Sequence, residues 1–325
     1  MRKIILTAAL GLTTLAFGQQ MPQFSQYLRN QYMVNPGAAG MYDFLDITLG
    51  GRMQWLGFKN APMTTYLYAS SPLSRTPRVK YNPALRVSNG PVRNAEIKTG
   101  KLKHAIGGML LADQYGAYRQ LKIAGTYALH IPVAKNYNLS FGVNAGLSNR
   151  AFLKDRAQTL NMMTGVGVDN TYDTYANDAQ SNTIDFGAGL YFYSNNMFIG
   201  VAAEQLTRDF ISFGTSTANF DPNTHFQATA GYKFPISENL TLMPAVLAKF
   251  MQPAPLSIEG SLQLEYKEWL WIGASYRHTD AIVAMAGLNI SKRFKFGYSF
   301  DYSLSRFNKH SAGGHEIVLG LMFGR

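Results

Sequence analysis

The sequence predicts an all-β fold: a transmembrane antiparallel β-barrel of about 14 strands, preceded by a short non-strand N-terminal segment. Three observations carry that expectation. First, residues 294–304 alternate, with Phe294, Phe296, Tyr298, Phe300, Tyr302 and Leu304 on one face and Lys295, Gly297, Ser299, Asp301 and Ser303 on the other. A period of two held this long is a strand, and its length matches the roughly 9–11 tilted residues that cross a bilayer's hydrocarbon. Second, 46% of residues are hydrophobic, with 20 Phe and 19 Tyr, and only 15% are charged, against about 25% in ordinary globular domains. Third, no apolar run beyond the N-terminus is long enough for a spanning helix. A chain that crosses lipid without helices must close its sheet, because each unpaired backbone group there costs several kcal/mol.

The first residues read as an export signal. Arg2 and Lys3 give a basic start, Ile4 to Phe17 an apolar run, and Ala16-Phe17-Gly18 a cleavage pattern. Residues 1–18 are therefore expected to be a signal peptide cut after Gly18; the run falls short of the roughly 20 residues a spanning helix needs. The chain has no cysteine, which excludes lipoprotein anchoring, disulfides and Cys-ligated metal sites. The net charge is +11, or +9 without Arg2 and Lys3 (11 − 2). In an exported, aromatic-rich chain this balance points to lipid phosphates or an acidic partner and away from nucleic acid.

Residues 19–45 do not alternate and are expected to form an N-terminal arm or plug. Phe24, Tyr27, Leu28 and Tyr32 fall at helical spacing after Pro22, which suggests a short amphipathic helix broken by Asn35-Pro36-Gly37. The segment is either a periplasmic arm or a piece folded into the barrel mouth. The barrel is expected over 46–325. Its strands read as Asp46–Trp55, Pro62–Ala69, His104–Asp113, Leu121–His130, Asn138–Ser148, Thr183–Tyr193, Met197–Gln205, His225–Phe234, Leu240–Phe250, Leu256–Tyr266, Trp269–Arg277, Ala281–Ile290, Phe294–Leu304 and His315–Phe323. The eighth and ninth are expected to meet across a turn containing Pro235, and the tenth and eleventh across Lys267-Glu268. From the fourth strand on, tight connections alternate with longer ones, so the tight set should be periplasmic. The longest external loops would then be Asn149–Asn182, Leu206–Thr224 and Arg306–Gly314. Ser70–Lys103 carries eight basic residues against the single acid Glu96. By strand parity it is periplasmic, either a solvated loop or a docking surface.

Candidate chemistry is sparse. The six histidines, His104, His130, His225, His278, His310 and His315, have no metal-ligand spacing and are expected in polar roles at the rims. Gly165-Val166-Gly167 lacks the strand and helix that a phosphate loop needs. Asp169, Asp173 and Asp178 fit no dedicated calcium loop and read as solvated. No Ser/His/acid set stands out, so no catalytic, cofactor or metal residue is expected. Trp55, Trp269 and Trp271 are expected in the aromatic girdles.

Two N-terminal stretches, QQMPQFSQYLRNQYMVNPGAAG and GGRMQWLGFKNAPMTTYLYASSPL, resemble the PorP/SprF family of the type IX secretion system of Bacteroidetes. The family's P-x-F-S-Q-Y…N-P…A-G opening falls on Pro22, Phe24, Ser25, Gln26, Tyr27, Asn35, Pro36, Ala39 and Gly40. Its R-x-Q-W-x-G-F…A-P-x-T segment falls on Arg52, Gln54, Trp55, Gly57, Phe58, Ala61, Pro62 and Thr64. Later echoes are GGMLLADQYGAY, WIGASYR, FGYSFDYSLS and HEIVLGLMF. The resemblance implies an outer-membrane barrel, without cofactor, that works with type IX secretion components in export and surface attachment of a large adhesin bearing a type B C-terminal domain, in some members for gliding motility. The motif residues would then be structural or partner-binding. The residues alone leave a second expectation open, a porin or channel for small or apolar solutes, since the inward faces are polar.

Overall fold

The computed structural model describes residues 22–73, 102–165, 172–173, 180–208, 211–213, 223–291, 293–304 and 311–324. The expected signal peptide, the basic stretch from Arg75 to Lys101, Asp169, Asp178, Val166-Gly167 and His310 lie outside the described residues.

Fourteen antiparallel strands close into one barrel. They are β1 (Leu45–Met53), β2 (Met63–Pro72), β3 (Lys103–Tyr115), β4 (Tyr118–Ala134), β5 (Tyr137–Phe152), β6 (Gln180–Tyr193), β7 (Met197–Glu204), β8 (His225–Tyr232, continued by Phe234–Ser237), β9 (Leu240–Met251), β10 (Ser257–Tyr266), β11 (Leu270–Arg277), β12 (Ala281–Asn289), β13 (Phe294–Ser303) and β14 (Gly314–Phe323). Closure is made by the first and last strands, which pair from Leu45 opposite Phe323 to Met53 opposite His315. Each strand expected from the alternation is present, and β4 and β5 run further at both ends. A two-residue ladder, Ser212–Phe213, leans on β6 from the connection after β7.

The alternation is physical as well as sequential. Leu147 and Ile123, opposite each other on β5 and β4, point outward with more than half their surface exposed. Their neighbours Ser148 and Lys122 point inward and are buried. The outer face is thus apolar and the lumen polar, the pattern of a membrane barrel. β2 alternates weakly in sequence because its inward positions are Tyr66 and Tyr68, both almost fully buried.

The connections after β4, β6, β8, β10 and β12 gather at one end, here the tight-turn end, together with the start of β1 and the end of β14. Ser70–Lys103 connects at this same end, as parity requires. The opposite end carries the long connections and is called the long-loop end. Lys267 and Glu268 both take left-handed backbone (φ 50° and 54°), which closes the β10–β11 hairpin in two central residues.

Four expectations are corrected. Residues 24–32 form no α-helix: the chain makes consecutive turns, then a 3₁₀ turn at Gln31–Met33 and another at Pro36–Ala38. Asn35-Pro36-Gly37 starts the second turn instead of breaking a helix, because Asn35 Oδ1 accepts from the Gly37 amide at 2.8 Å and proline suits the first helical position. Pro235 lies inside the continuation of β8, opposite Thr241; residues 234–237 pair with β9 alone, so a proline there interrupts no second ladder. Trp271 and His130 are not at a girdle or rim; both are buried in the lumen, while Trp269 is exposed.

Candidate functional site: a clamped plug in the lumen

Residues 22–44 descend through the lumen from the long-loop end to the tight-turn end and there enter β1. Phe24, Tyr27, Leu28, Tyr32, Met33 and Val34 are buried among Tyr66, Tyr68, Tyr191, Tyr193 and Leu247 of the wall. The plug is held at three depths.

At the long-loop end, inward charges from six strands surround the start of the plug, and four of them reach Ser25. The Ser25 amide donates to Glu316 Oε2 at 2.7 Å, and its hydroxyl reaches the Asp301 carboxylate at 2.8 Å. Arg52 donates to Ser25 Oγ and to Asp301 at 2.9 Å, with Glu316 3.6 Å away. Arg277 donates to Glu259 at 2.8 Å and to Asp301 at 3.3 Å. Lys249 holds the plug's first residues through the Pro22 carbonyl at 3.2 Å and Gln23 Oε1 at 3.0 Å. The register explains the convergence: Arg52 stands opposite Glu316 on β14, and Arg277 opposite Glu259 on β10. Arg277 and Glu316 are at most 1% exposed, so these charges are tolerable only because they neutralise one another.

Midway, Asn30 donates to Tyr66 at 2.8 Å and Tyr32 shares a 2.7 Å hydrogen bond with Thr126. Phe24 meets Tyr66 and Tyr32 meets Tyr68 edge to face, at 5.1 and 5.3 Å.

Nearer the tight-turn end, Asn35 Nδ2 donates to the carbonyls of Leu190 at 3.0 Å and Val201 at 3.1 Å on β6 and β7. Pro36 and Gly37 press onto β5, where a Cβ on Gly142 would sit 2.4 Å from Pro36 backbone atoms. Gly40 turns with φ +63°, and its missing Cβ makes room for Ala105. The His130 ring bridges the Ala39 carbonyl at 2.9 Å and the Tyr193 hydroxyl at 2.8 Å. Lys103 binds the Met41 carbonyl at 2.8 Å, and Lys295 pairs with Asp46 at 2.9 Å.

Replacing Asn35 with alanine should cost about 1–3 kcal/mol, because one side chain satisfies a turn amide and two strand carbonyls. The check is the urea midpoint of the purified barrel. A shift no larger than that of an exposed Asn239→Ala control would mean the asparagine does not fasten the plug.

The two sequence motifs meet here. Pro22, Phe24, Gln26, Tyr27, Asn35, Pro36 and Gly40 all lie in the lumen, and Arg52 of the second motif clasps Ser25 of the first. With its amide oxygen turned toward Arg52, Gln54 accepts from the guanidinium at 3.0 Å. Trp55, Gly57, Phe58 and Pro62 stand apart on the β1–β2 connection at the long-loop end. That loop is tied to the β13–β14 connection by Leu56 and Gly313 at 2.9 Å and by Ala312 and Leu56 at 2.7 Å. Sequence reasoning missed Asn30, Lys249, Glu259, Arg277 and Glu316. The last four had one signal, a charged residue at an inward slot of a strand; Asn30, in the plug, had none.

Asp301 and Glu316 are each held both by Arg52 and by Ser25, which favours a fixed structure over proton transfer. Among the described residues no three His, Asp or Glu side chains gather as a metal site. Asp173 pairs with Lys154 at 3.0 Å.

A closed antiparallel barrel, apolar outside and filled by its own N-terminal segment, defines the class: a plugged outer-membrane barrel. Residues 16–321 match the family described as type IX secretion system membrane protein PorP/SprF, and the chain belongs to that family. No curated protein matches the chain. Among solved structures, a TodX deltaS2S3 mutant monoaromatic hydrocarbon channel aligns over 90% of this chain and 94% of its own, with a TM-score of 0.51 and 8% identity. The CymD monoaromatic hydrocarbon channel aligns over 94% of each chain, with a TM-score of 0.49 and 10% identity. The first likeness shows a shared barrel fold and no more.

Proposed function

We propose that the barrel acts with the type IX secretion system in export and surface attachment of a large adhesin that carries a type B C-terminal domain. Membership of the PorP/SprF family supports a role beside the secretion machine. The observation that carries the reading is the clamped plug. A lumen filled by residues 22–44 and fastened by buried ion pairs suits a barrel that holds a partner better than one that conducts solutes. In this reading the tight-turn end faces the periplasm, residues 1–18 are removed, and the long-loop end meets the adhesin domain. Apolar side chains already stand there in solvent: Leu160 and Met163 are more than 70% exposed, with Leu56 and Phe58 beside the same rim. The porin or channel reading has no comparable support, since an open pore would have to displace the plug.

Deleting the gene should abolish surface display of one adhesin and leave other secreted cargo in place, with loss of spreading where that adhesin drives gliding. Surface proteomics of whole cells reads the result. Unchanged display of every large adhesin would defeat the proposal.

A further inference from the structure

The lipid-facing wall breaks its apolar pattern at the long-loop end of β3 and β4. The outward residues of β2 to β5 form a row there, fixed by register: Met63, Gln114, Arg119 and Ala151. Deeper in the wall, Leu110, Leu121 and Ile123 stand exposed toward lipid. Arg119 lies two residues before Leu121, about 7 Å along the strand, so it marks the edge of the apolar band. It is half-buried, yet among the described residues it forms no ion pair and no hydrogen bond.

A second guanidinium is brought to the same place. The 3₁₀ turn Lys154–Arg156 follows β5 and is tied to this rim. The Leu153 amide donates to the Ala117 carbonyl at 2.7 Å, the Asn60 side chain to the Arg156 carbonyl at 3.1 Å, and the Gly116 amide to the Asn60 carbonyl at 3.2 Å. With its amide oxygen turned toward Arg156, Gln114 accepts from the guanidinium, from Nε at 3.1 Å and from Nη2 at 3.3 Å. Gln114 stands directly opposite Arg119. A neutral amide thus holds one cation beside another and neutralises neither. The exposed Lys59 precedes Asn60 and adds a third positive charge to the rim. Of the acids here, Asp173 is spent on Lys154 at 3.0 Å. Asp155 is exposed on the same turn and pairs with neither arginine among the described residues.

Like charges gathered at the edge of a low-dielectric wall call for an anion. Guanidinium offers paired N–H donors that match a phosphate, and an arginine stem can lie along apolar surface while its head stays among polar headgroups. We propose that Arg119 and Arg156, with Gln114 beside both, bind the phosphate of a lipid headgroup in the leaflet at the long-loop end. The lipid's chains would lie on the outward faces of β2 to β4, along Met63, Leu67, Leu110, Leu121 and Ile123. A free phosphate would gain the arginines but not that wall, so the lipid is the better occupant. The site is on the outside of the barrel and does not depend on which partner the barrel serves.

The barrel, purified in a mild detergent, would be titrated with dioleoyl phosphatidic acid and followed by native mass spectrometry. Dioleoylglycerol supplies the same chains without the phosphate. The native chain should bind phosphatidic acid at least about tenfold more tightly than dioleoylglycerol, and Arg119→Gln combined with Arg156→Gln should erase that difference. Arg208→Gln combined with Lys267→Gln removes the same charge from exposed positions elsewhere and should preserve it. Heat-dependent gel mobility checks folding. Should the arginine pair fail to fold, the single variants decide, each with an expected loss of about threefold. Unchanged affinity in the arginine variants would overturn the site. An equal loss in the Arg208/Lys267 control would overturn it too, because any surface cation would then serve. Inorganic phosphate that displaced the lipid at equal concentration would overturn the lipid as its occupant.

Discussion

Replacing Arg52 with alanine should destabilise the folded barrel by about 3–5 kcal/mol, the cost of breaking a buried ion pair from one side. The guanidinium faces Ser25, Asp301 and Glu316 at once. Without it Asp301 keeps Arg277 at 3.3 Å. Glu316 keeps only the Ser25 amide at 2.7 Å and the Tyr66 hydroxyl at 3.3 Å. A carboxylate with no exposed surface and no cation is the dominant loss. Arg52→Lys should recover only part of the stability, since an ammonium cannot span three acceptors in a plane. Arg52→Ala paired with Glu316→Gln should recover more, because the stranded charge is gone. Urea midpoints followed by tryptophan fluorescence would read all three. The ordering of the variants is the sharper test. If the double variant is no better than Arg52→Ala alone, the loss comes from packing and the electrostatic account of the clasp is wrong.

The barrel was legible because lipid imposes a rule on every strand. Outward residues must be apolar and the period is two, so even short segments declare themselves. The pairing of β1 with β14 follows from closure and needs no further signal. The plug was only half legible. Its lack of alternation separated it from the strands, but its turns are fixed by wall contacts such as Asn35 with Leu190 and Val201, which lie more than 150 residues away in sequence. Helical spacing of Phe24, Tyr27 and Leu28 was therefore a true hint of burial and a false hint of helix. The clasp was illegible for a different reason. Alternation tells that Asp301 and Glu316 face inward, but not that they share a level with Arg52. That depends on strand register, which a one-residue slip would destroy. Trp269 and Trp271 show the limit of parity at a strand end. Both carry the same parity, yet the left-handed pair Lys267-Glu268 leaves Trp269 in the turn and exposed. Trp271 lies on the strand proper, under the Arg29 guanidinium at 5.0 Å.

Deleting residues 22–41 should convert the barrel into a steady pore, with conductance in planar bilayers more than about tenfold above that of the full chain. Barrels of about eight strands fill their interior with wall side chains, and those of sixteen or more leave an aqueous channel. Fourteen strands fall near the open end of that range, so something must occupy the lumen. Here that is the plug with its buried Phe24, Tyr27, Leu28, Tyr32 and Met33. The wall should survive the deletion, because its backbone pairing is complete from strand to strand without the plug. It would lose stability, since each large apolar side chain withdrawn forfeits about 1.5–3 kcal/mol of burial and the clasp arginines would face water. The variant should keep its heat-dependent gel mobility while conducting. Arg52→Ala offers the intermediate case: the plug stays covalently attached but loses its lock, so conductance should flicker between the full-chain level and the deletion level. A full chain that already conducts like the deletion would contradict the sealing role of the plug. A deletion that folds but stays silent would place the barrier in the long-loop end and move the search for the partner site there.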